Sequence, residues 1–157
     1  YTDSHAIRIH PTATERVYEA AGQGVAYSDD EGNSWSPVDD GMDRHYSWGI
    51  AVDSADPDLW YVSASHSARY AHARNGNAQA HIYRKRGEEP FELLNGALNI
   101  PLDFMPYSLL TLSGMPNWLL AGMQDGEVLL SEDAGDSWRQ LSVSLPGLLQ
   151  LDEATAR

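Results

Sequence analysis

One eight-residue pattern occurs twice in this chain, at the same place within two segments that share the same order of strand-like runs. The pattern Ser-x-Asp-x-Gly-x-Ser-Trp spans Ser28–Trp35 and again Ser131–Trp138. Each copy separates two short runs rich in β-branched, aromatic or other apolar residues, which is typical of a turn between antiparallel strands. The chain must therefore build the same local structure twice, which favours a repeat architecture.

Each repeating unit contains four short strand-like runs, separated by clusters of Gly, Asp, Asn and Pro. A middle unit has the same four runs, and Tyr27, Tyr83 and Leu130 occupy matching positions in the third run. A four-stranded unit that recurs every ~40 to 50 residues has the period of a β-propeller blade. The sequence therefore predicts an all-β chain of three four-stranded antiparallel blades, part of a propeller of about six to eight blades.

We assign residues 1–157 to one propeller region, with blades at approximately 4–40, 46–98 and 105–145 and a C-terminal tail at 146–157. Only the end of that tail, from Leu148 to Arg157, has a weak helical pattern.

Two of the predicted second strands indicate how the blades pack. Leu59–Val62 and Trp118–Ala121 are apolar at consecutive positions, as expected for strands covered on both faces. Stacked blades provide such cover, and a β-sandwich of irregular strands is the alternative. Because three blades leave two outer faces uncovered, we expect the remaining blades from a longer parent chain, a second fragment or a second copy. The longer parent is favoured because the chain begins with Tyr1 rather than Met.

The repeated pattern has a clear structural chemistry. Its Asp can accept hydrogen bonds from the turn backbone, its Gly can adopt a positive φ, and its Trp can fold into the core between strands as a buried anchor. The pattern resembles the Asp-box, or BNR repeat, of bacterial sialidases, xyloglucanase-type glycoside hydrolases, the sortilin ectodomain and photosystem assembly factors. The resemblance implies a structural role on the propeller rim, remote from the ligand face. The residues concerned are Ser28, Asp30, Gly32, Ser34 and Trp35 in the first box and Ser131, Asp133, Gly135, Ser137 and Trp138 in the second.

The middle unit has a degenerate box. Arg84, Arg86 and Phe91 take the places of Ser28, Asp30 and Trp35. We therefore expect the turn chemistry to be lost there and the apolar anchor to be kept.

The candidate ligand face lies at one end of the blades. In a propeller, the connections between blades and those between second and third strands share one end, where ligand sites usually lie. In the middle unit the second-to-third-strand connection is long, at 65–80, and Arg and His side chains suit a carboxylate, a phosphate or sugar hydroxyls. A solvated flap or a contact with a neighbouring blade is the alternative. The candidate ligand-binding residues are Arg44, His45, Tyr46, Trp48, His66, Arg69, Tyr70, His72 and Arg74.

Composition excludes several classes of partner. Twenty-three acidic residues against ten basic ones, a net charge of −13, repel a nucleic acid backbone. The apolar runs are much shorter than the ~20 residues of a membrane-spanning helix, so we expect a soluble chain, without a membrane span, of unassigned compartment. The absence of Cys excludes thiolate metal sites and Cys nucleophiles.

The sequence predicts neither a metal nor a cofactor. The spacing of Asp29 to Gly32 is only superficially similar to a calcium loop, because the later oxygen ligands are missing. His66, His72 and His81 lack the regular spacing of a zinc site.

These observations favour an Asp-box propeller module for ligand binding or protein assembly, with a carbohydrate or a protein as ligand. The alternative is a sialidase- or xyloglucanase-like glycoside hydrolase, which needs two carboxyl groups about 5 to 10 Å apart. No Arg triad or Tyr–Glu pair of the kind that the sialidase resemblance implies can be placed on this chain, so the enzyme question stays open. The candidate catalytic residues are Asp40, Asp43 and Asp103, with Glu92 as a further carboxylate.

Overall fold

Three four-stranded antiparallel sheets follow one another along the chain, in a computed structural model that describes residues 1–143 and 145–154. The first contains β1 (Ser4–Ile9), β2 (Val17–Ala21), β3 (Gly24–Ser28) and β4 (Ser36–Pro37). The second contains β5 (Tyr46–Val52), β6 (Leu59–Ser65), β7 (His81–Arg86) and β8 (Glu92–Leu93), with a short helix α1 (Ala68–Ala71) between β6 and β7. The third contains β9 (Pro106–Leu112), β10 (Met115–Met123), β11 (Val128–Ser131) and β12 (Arg139–Gln140). The prediction of an all-β chain with three such sheets is confirmed.

The first strand of each sheet forms its inner edge. Contacts between neighbouring sheets are most extensive between β1 and β5 and between β5 and β9. Within every sheet the strands are arranged in sequence order from this edge outward. The three sheets therefore fan out from a common side lined by β1, β5 and β9.

Two apolar clusters fill the spaces between the sheets. All seven residues of β6 are buried, and successive side chains point to opposite faces. Trp60 and Val62 pack towards the first sheet, whereas Leu59 and Tyr61 pack towards the third. The prediction that this strand is covered on both faces is confirmed.

Another sheet packs on only one face of the third sheet among the described residues. In the run Trp118–Ala121, Leu119 and Ala121 are buried, whereas Trp118 and Leu120 are only half-buried. The outer face of this strand is therefore open to further blades, as expected for the last of three blades, because no further sheet packs on it among the described residues.

The predicted helical tail is wrong within the described residues, since residues 148–154 form no helix. Residues 155–157 lie outside them.

The middle sheet differs from the predicted alignment by one residue. Tyr27 pairs with Ser36 and Leu130 pairs with Arg139, but it is Arg84 that pairs with Glu92. The hairpin of the middle sheet is one residue shorter, so Arg84 rather than Tyr83 matches Tyr27 and Leu130. A shift of one residue reverses the face of a strand.

As a result, Arg84 points towards the third sheet and acts as a clamp between blades. Its guanidinium donates to the carbonyl oxygen of Ala134 and to Asp136 Oδ1, both at 2.8 Å, and to Glu92 Oε2 at 2.7 Å. The Arg84 side chain is only 7% exposed. The expectation that Arg84 takes the place of Ser28 is therefore wrong, because Lys85 stands at the position that matches Ser28. The middle hairpin lacks the turn chemistry of the box, and Arg84 instead contacts the box of the next blade.

The two Ser-x-Asp-x-Gly-x-Ser-Trp segments form the same hydrogen-bonded hairpin. Asp30 accepts from the Ser34 amide at 2.7 Å, and Asp133 accepts from the Ser137 amide at 2.8 Å. The hydroxyl of the first Ser accepts from the Gly amide in both copies, at 2.8 and 2.7 Å. In both copies the indole Nε1 donates to the Gly carbonyl oxygen at 3.1 Å. The box therefore closes the turn between the third and fourth strands.

The two tryptophans of these hairpins differ in their surroundings. Trp138 is half-buried, and a Cβ added to Gly96 of the preceding blade would lie 2.9 Å from its Cδ1. Trp35 is 39% exposed. The expectation of a buried anchor is therefore wrong for Trp35, because it lies on the face of the first sheet that turns away from the second, and no blade precedes that face among the described residues.

The box carboxylates make stability depend on pH. Hydrogen bonds from Ser137 and Ser131 hold the pKa of Asp133 below its ordinary value. A lowered pKa in the folded state stabilises the fold above the unfolded-state pKa, and this contribution is lost as the pH falls through the folded-state value. We expect the unfolding free energy to fall below about pH 4, and to fall less steeply in Asp133→Asn than in the parent chain. Urea titrations at pH 7, 4, 3 and 2 measure this difference, with Asp29→Asn at a variable position of the first box as the matched control. An equal pH dependence in Asp133→Asn and the parent contradicts the expectation.

Candidate functional site

Three rings from three different sheets form a row along the inner edge. His5, Trp48 and Tyr107 lie near the starts of β1, β5 and β9. The His5 and Trp48 rings are stacked with centroids 4.2 Å apart, and those of Trp48 and Tyr107 are 5.2 Å apart. Packing of the first strands therefore brings one aromatic or imidazole ring from each blade into contact at the same end of the sheets.

His72, just after α1, bridges two phenols above this row. Its Nε2 lies 3.0 Å from the Tyr46 hydroxyl and its Nδ1 lies 2.7 Å from the Tyr107 hydroxyl. Its ring contacts Trp48 edge-on at 4.8 Å between centroids. Since a neutral imidazole has one donor and one acceptor nitrogen, one tyrosine donates to His72 and the other accepts from it.

The electrostatics of this group favour a neutral network. Partial burial lowers the pKa of His72, and an electrostatic effect of the nearby His5 ring lowers it further. Partial burial raises the pKa of Tyr46 and of Tyr107. At neutral pH the network therefore consists of an uncharged imidazole and two protonated phenols, which can exchange hydrogen bonds with hydroxyl and amide groups of a ligand.

Two cavities adjoin this network. One, of about 560 Å³, is lined by His72, Arg74, Tyr107 and tail residues around Leu148. The other, of about 220 Å³, lies along the inner edge beside Trp48 and Tyr107. Arg74 provides a cation at the rim of the first cavity.

Only part of the predicted ligand set lies at this network. Tyr46, Trp48 and His72 form it, and Arg74 lines its cavity. The other predicted residues make local contacts. Arg44 donates to Asp43 and to the Gln79 carbonyl oxygen, His45 lies 3.6 Å from Asp39, His66 packs on Tyr70, and Arg69 is exposed in α1.

A second polar cluster surrounds Asp43, one of the predicted catalytic residues. The Tyr83 hydroxyl donates to Asp43 Oδ1, and His81 Nδ1 lies 3.1 Å from the same oxygen. Although partial burial opposes it, hydrogen bonding by Tyr83 and His81 holds the pKa of Asp43 below its ordinary value. Burial lowers the pKa of His81 despite this carboxylate, so their contact at neutral pH is a hydrogen bond rather than an ion pair.

The remaining carboxylates have other contacts. Glu92 is bound to Arg84, and Asp40 and Asp103 are exposed, with their backbone carbonyl oxygens accepting from Phe91 and Ala78. Within the part of the chain that the structure describes, no three His, Asp or Glu side chains are grouped as metal ligands.

The sequence analysis did not identify His5 and Tyr107 as site residues. The available signal was positional, because His5, Trp48 and Tyr107 each lie three residues before strand partners that match across the sheets, namely Arg8, Ala51 and Leu110. An alignment of the three first strands as repeats identifies this row.

Comparison with known proteins identifies the fold. No protein-family description and no curated protein sequence matches the chain. Among solved structures, it is similar to the GH74 xyloglucanase from Xanthomonas campestris, with 19% identity and a TM-score of 0.70 over 92% of this chain and 21% of that one. It is also similar to the WD40 β-propeller domain of Doa1, with 16% identity and a TM-score of 0.58 over 92% of this chain and 42% of that one. A third similar structure is YCF48 bound to D1 peptide, with 10% identity and a TM-score of 0.58 over 90% of this chain and 43% of that one.

At these identities the likeness establishes the fold alone. The chain has the fold of β-propeller blades and spans less than half the length of each of these three proteins. Among the described residues no helix is long and apolar enough to cross a membrane.

Proposed function

We propose that this chain is part of an Asp-box β-propeller module that binds a carbohydrate or a protein segment at the His5–Trp48–Tyr107 row and its His72 bridge. The observation that carries the proposal is the contact of His72 with the hydroxyls of Tyr46 and Tyr107, at 3.0 and 2.7 Å, beside a cavity of about 560 Å³. Polar groups that converge beside apolar rings are typical of ligand sites.

The chemistry of the network favours a ligand rich in hydroxyl or amide groups. A neutral imidazole and two phenols offer both donors and acceptors, and Arg74 adds a planar set of donors at the rim. Carbohydrates and extended peptides both present such groups. The similar structures include a xyloglucanase and a YCF48 bound to peptide, which supports testing both classes of ligand.

The same proposal extends to the box hairpins and to the blades. The two box hairpins are Asp boxes of the BNR type, and the blades extend over approximately 4–40, 46–98 and 105–145. They belong to a propeller of about six to eight blades. The remaining predicted ligand residues, Arg44, His45, His66, Arg69 and Tyr70, are proposed to contact the ligand outside the network.

A glycoside hydrolase is the weaker reading of the same end of the blades. A general acid needs a carboxyl group that is protonated near neutral pH. The lowered pKa of Asp43 keeps this group ionised, which argues against it as the acid. Its bonds to Tyr83, His81 and Arg44 are those of a structural carboxylate.

The test removes the two hydroxyls and keeps the rings. We expect isothermal titration with a panel of xyloglucan oligosaccharides and extended peptides to find a ligand whose affinity falls about tenfold in Tyr46→Phe/Tyr107→Phe, equivalent to about 1.4 kcal/mol. Tyr27→Phe, near the rim between the first two sheets, is the matched control and should bind like the parent chain. Both variants keep their aromatic rings, so we expect them to fold like the parent chain. A thermal unfolding curve that matches that of the parent shows that weaker binding is not caused by loss of folding.

Two results contradict the proposal. One is a ligand that binds the double variant as tightly as the parent chain. The other is release of reducing sugar ends that disappears in Asp43→Asn, which would establish the hydrolase instead.

A further inference from the structure

The tail after β12 follows the course of a connection between blades. Between the second and third sheets, Leu102 pairs with Ala80, which precedes β7, and Met105 is then fully buried just before β9. Past the third sheet, the Leu145 amide donates to the carbonyl oxygen of Gly126, which precedes β11, at 3.4 Å. Leu148 is then buried, where a Cβ added to Gly122 would overlap its side chain. The tail thus crosses the third blade inward, as the earlier connection crosses the second.

Beyond Leu148 the tail runs beside β9 in the same direction. The Leu151 amide donates to Ser108 Oγ at 2.9 Å, near the start of β9. Further along both segments, the Ser113 amide donates to Glu153 Oε2 at 3.1 Å. Both segments therefore advance together along the inner edge of the blades.

The first strands of neighbouring blades have this same relation. At the start of β1, His5 Nδ1 lies 2.6 Å from the Ser47 carbonyl oxygen. Just after the end of β1, His10 Nε2 lies 3.0 Å from the Asp53 carbonyl oxygen. The tail therefore runs beside β9 in the same direction, as β5 runs beside β1.

We propose that residues 149–154 are the first strand of a fourth blade, whose second, third and fourth strands come from polypeptide outside residues 1–157. This inference rests on the proposal that the three blades are part of a larger propeller. The other strands must form an antiparallel set with an apolar face, because Leu110 and Leu120 on the outside of the third sheet are only half-buried.

A second copy of the chain fits this place less well. Its β1 would need the position beside β9 that residues 149–154 already take. The outer face of the third sheet also has Leu130 where the second has the clamping Arg84, and Val143 where the second has Gly96. At Gly96 an added Cβ would lie 2.7 Å from the Asp136 carbonyl oxygen. The outer face of the third blade therefore lacks the residues with which the second blade binds the third.

The experiment supplies the missing strands from the chain itself. Residues 53–94, which carry the turn after β5 and strands β6 to β8, are added directly after residue 154. We expect hydrogen exchange at the amides of residues 149–154 to slow at least tenfold relative to the parent chain. The matched control carries the same added residues in scrambled order and should exchange like the parent.

Equal exchange in the extended and scrambled proteins overturns the inference, and so does a parent chain that sediments as a dimer with residues 149–154 already protected. If the extended protein does not fold, Ser108→Cys/Leu151→Cys in the parent decides, since the chain has no other Cys. We expect an intramolecular disulfide, because the Leu151 amide and Ser108 Oγ are 2.9 Å apart; failure to form it overturns the inference. Neither measurement involves a ligand, so its failure is distinct from failure of the binding proposal.

Discussion

Replacing Trp138 by Ala is expected to destabilise the chain by about 3 kcal/mol, near the lower end of the cost of deleting a large aromatic side chain. Trp138 is half-buried between its own hairpin and the loop at Gly96, and it packs against the core between the second and third blades. Removing the indole opens a cavity at that junction and leaves the Gly135 carbonyl oxygen without its donor. Urea unfolding of the variant and the parent chain measures the loss.

Trp35→Ala is the matched control for this prediction. The same residue stands in the same hairpin with the same indole hydrogen bond of 3.1 Å, but it is 39% exposed. We expect a loss of about 1 kcal/mol, mainly from that bond. Equal losses in the two variants would show that the preceding blade does not cover Trp138.

Gly41→Ala is expected to lower the unfolding free energy by about 3 to 5 kcal/mol, because the strain of a positive φ and a clash with backbone add at this position. Gly41 has a φ of +89°, and a Cβ there would overlap the Phe91 carbonyl oxygen and lie 2.8 Å from the Phe91 amide nitrogen. That amide donates to the Asp40 carbonyl oxygen at 2.7 Å and so fastens the connection between the first two blades to the middle blade. Since both clashing atoms belong to backbone, a change of rotamer cannot relieve the strain.

Gly87→Ala is the matched control, because it isolates the cost of a positive φ without a clash. Gly87 has a φ of +50°, and no heavy atom lies within 4 Å of its added Cβ. Its expected cost is about 1 to 2 kcal/mol, that of the left-handed backbone alone. If unfolding in urea gives equal losses for Gly41→Ala and Gly87→Ala, the close approach at Phe91 is wrong.

The sequence determined the three sheets because their signals are local. Strand propensity, turn residues and two complete boxes each act over fewer than about ten residues, and they agree with one another. The box hydrogen bonds at Asp30 and Asp133 follow directly from that pattern. The exposure of Trp35 did not follow, because it depends on which blade lies next to the hairpin rather than on the hairpin itself.

The site was harder to predict because its parts are distant in the chain. His5, Trp48, His72 and Tyr107 meet only when three first strands converge, and no local spacing connects them. Arg84 shows a related limit, because a hairpin shorter by one residue places it at the position of Tyr27 rather than that of Ser28 and so turns its side chain towards the third blade.

The convergence of the three blades is tested most directly by nuclear Overhauser contacts among these rings. The structure predicts cross-peaks from the Trp48 ring to both the His5 and the Tyr107 rings, whose centroids lie 4.2 and 5.2 Å away. Each of the three residues belongs to a different sheet, so only sheets that share an inner edge can produce both contacts. A Trp48 ring without cross-peaks to either partner in the folded chain would contradict the arrangement of the blades.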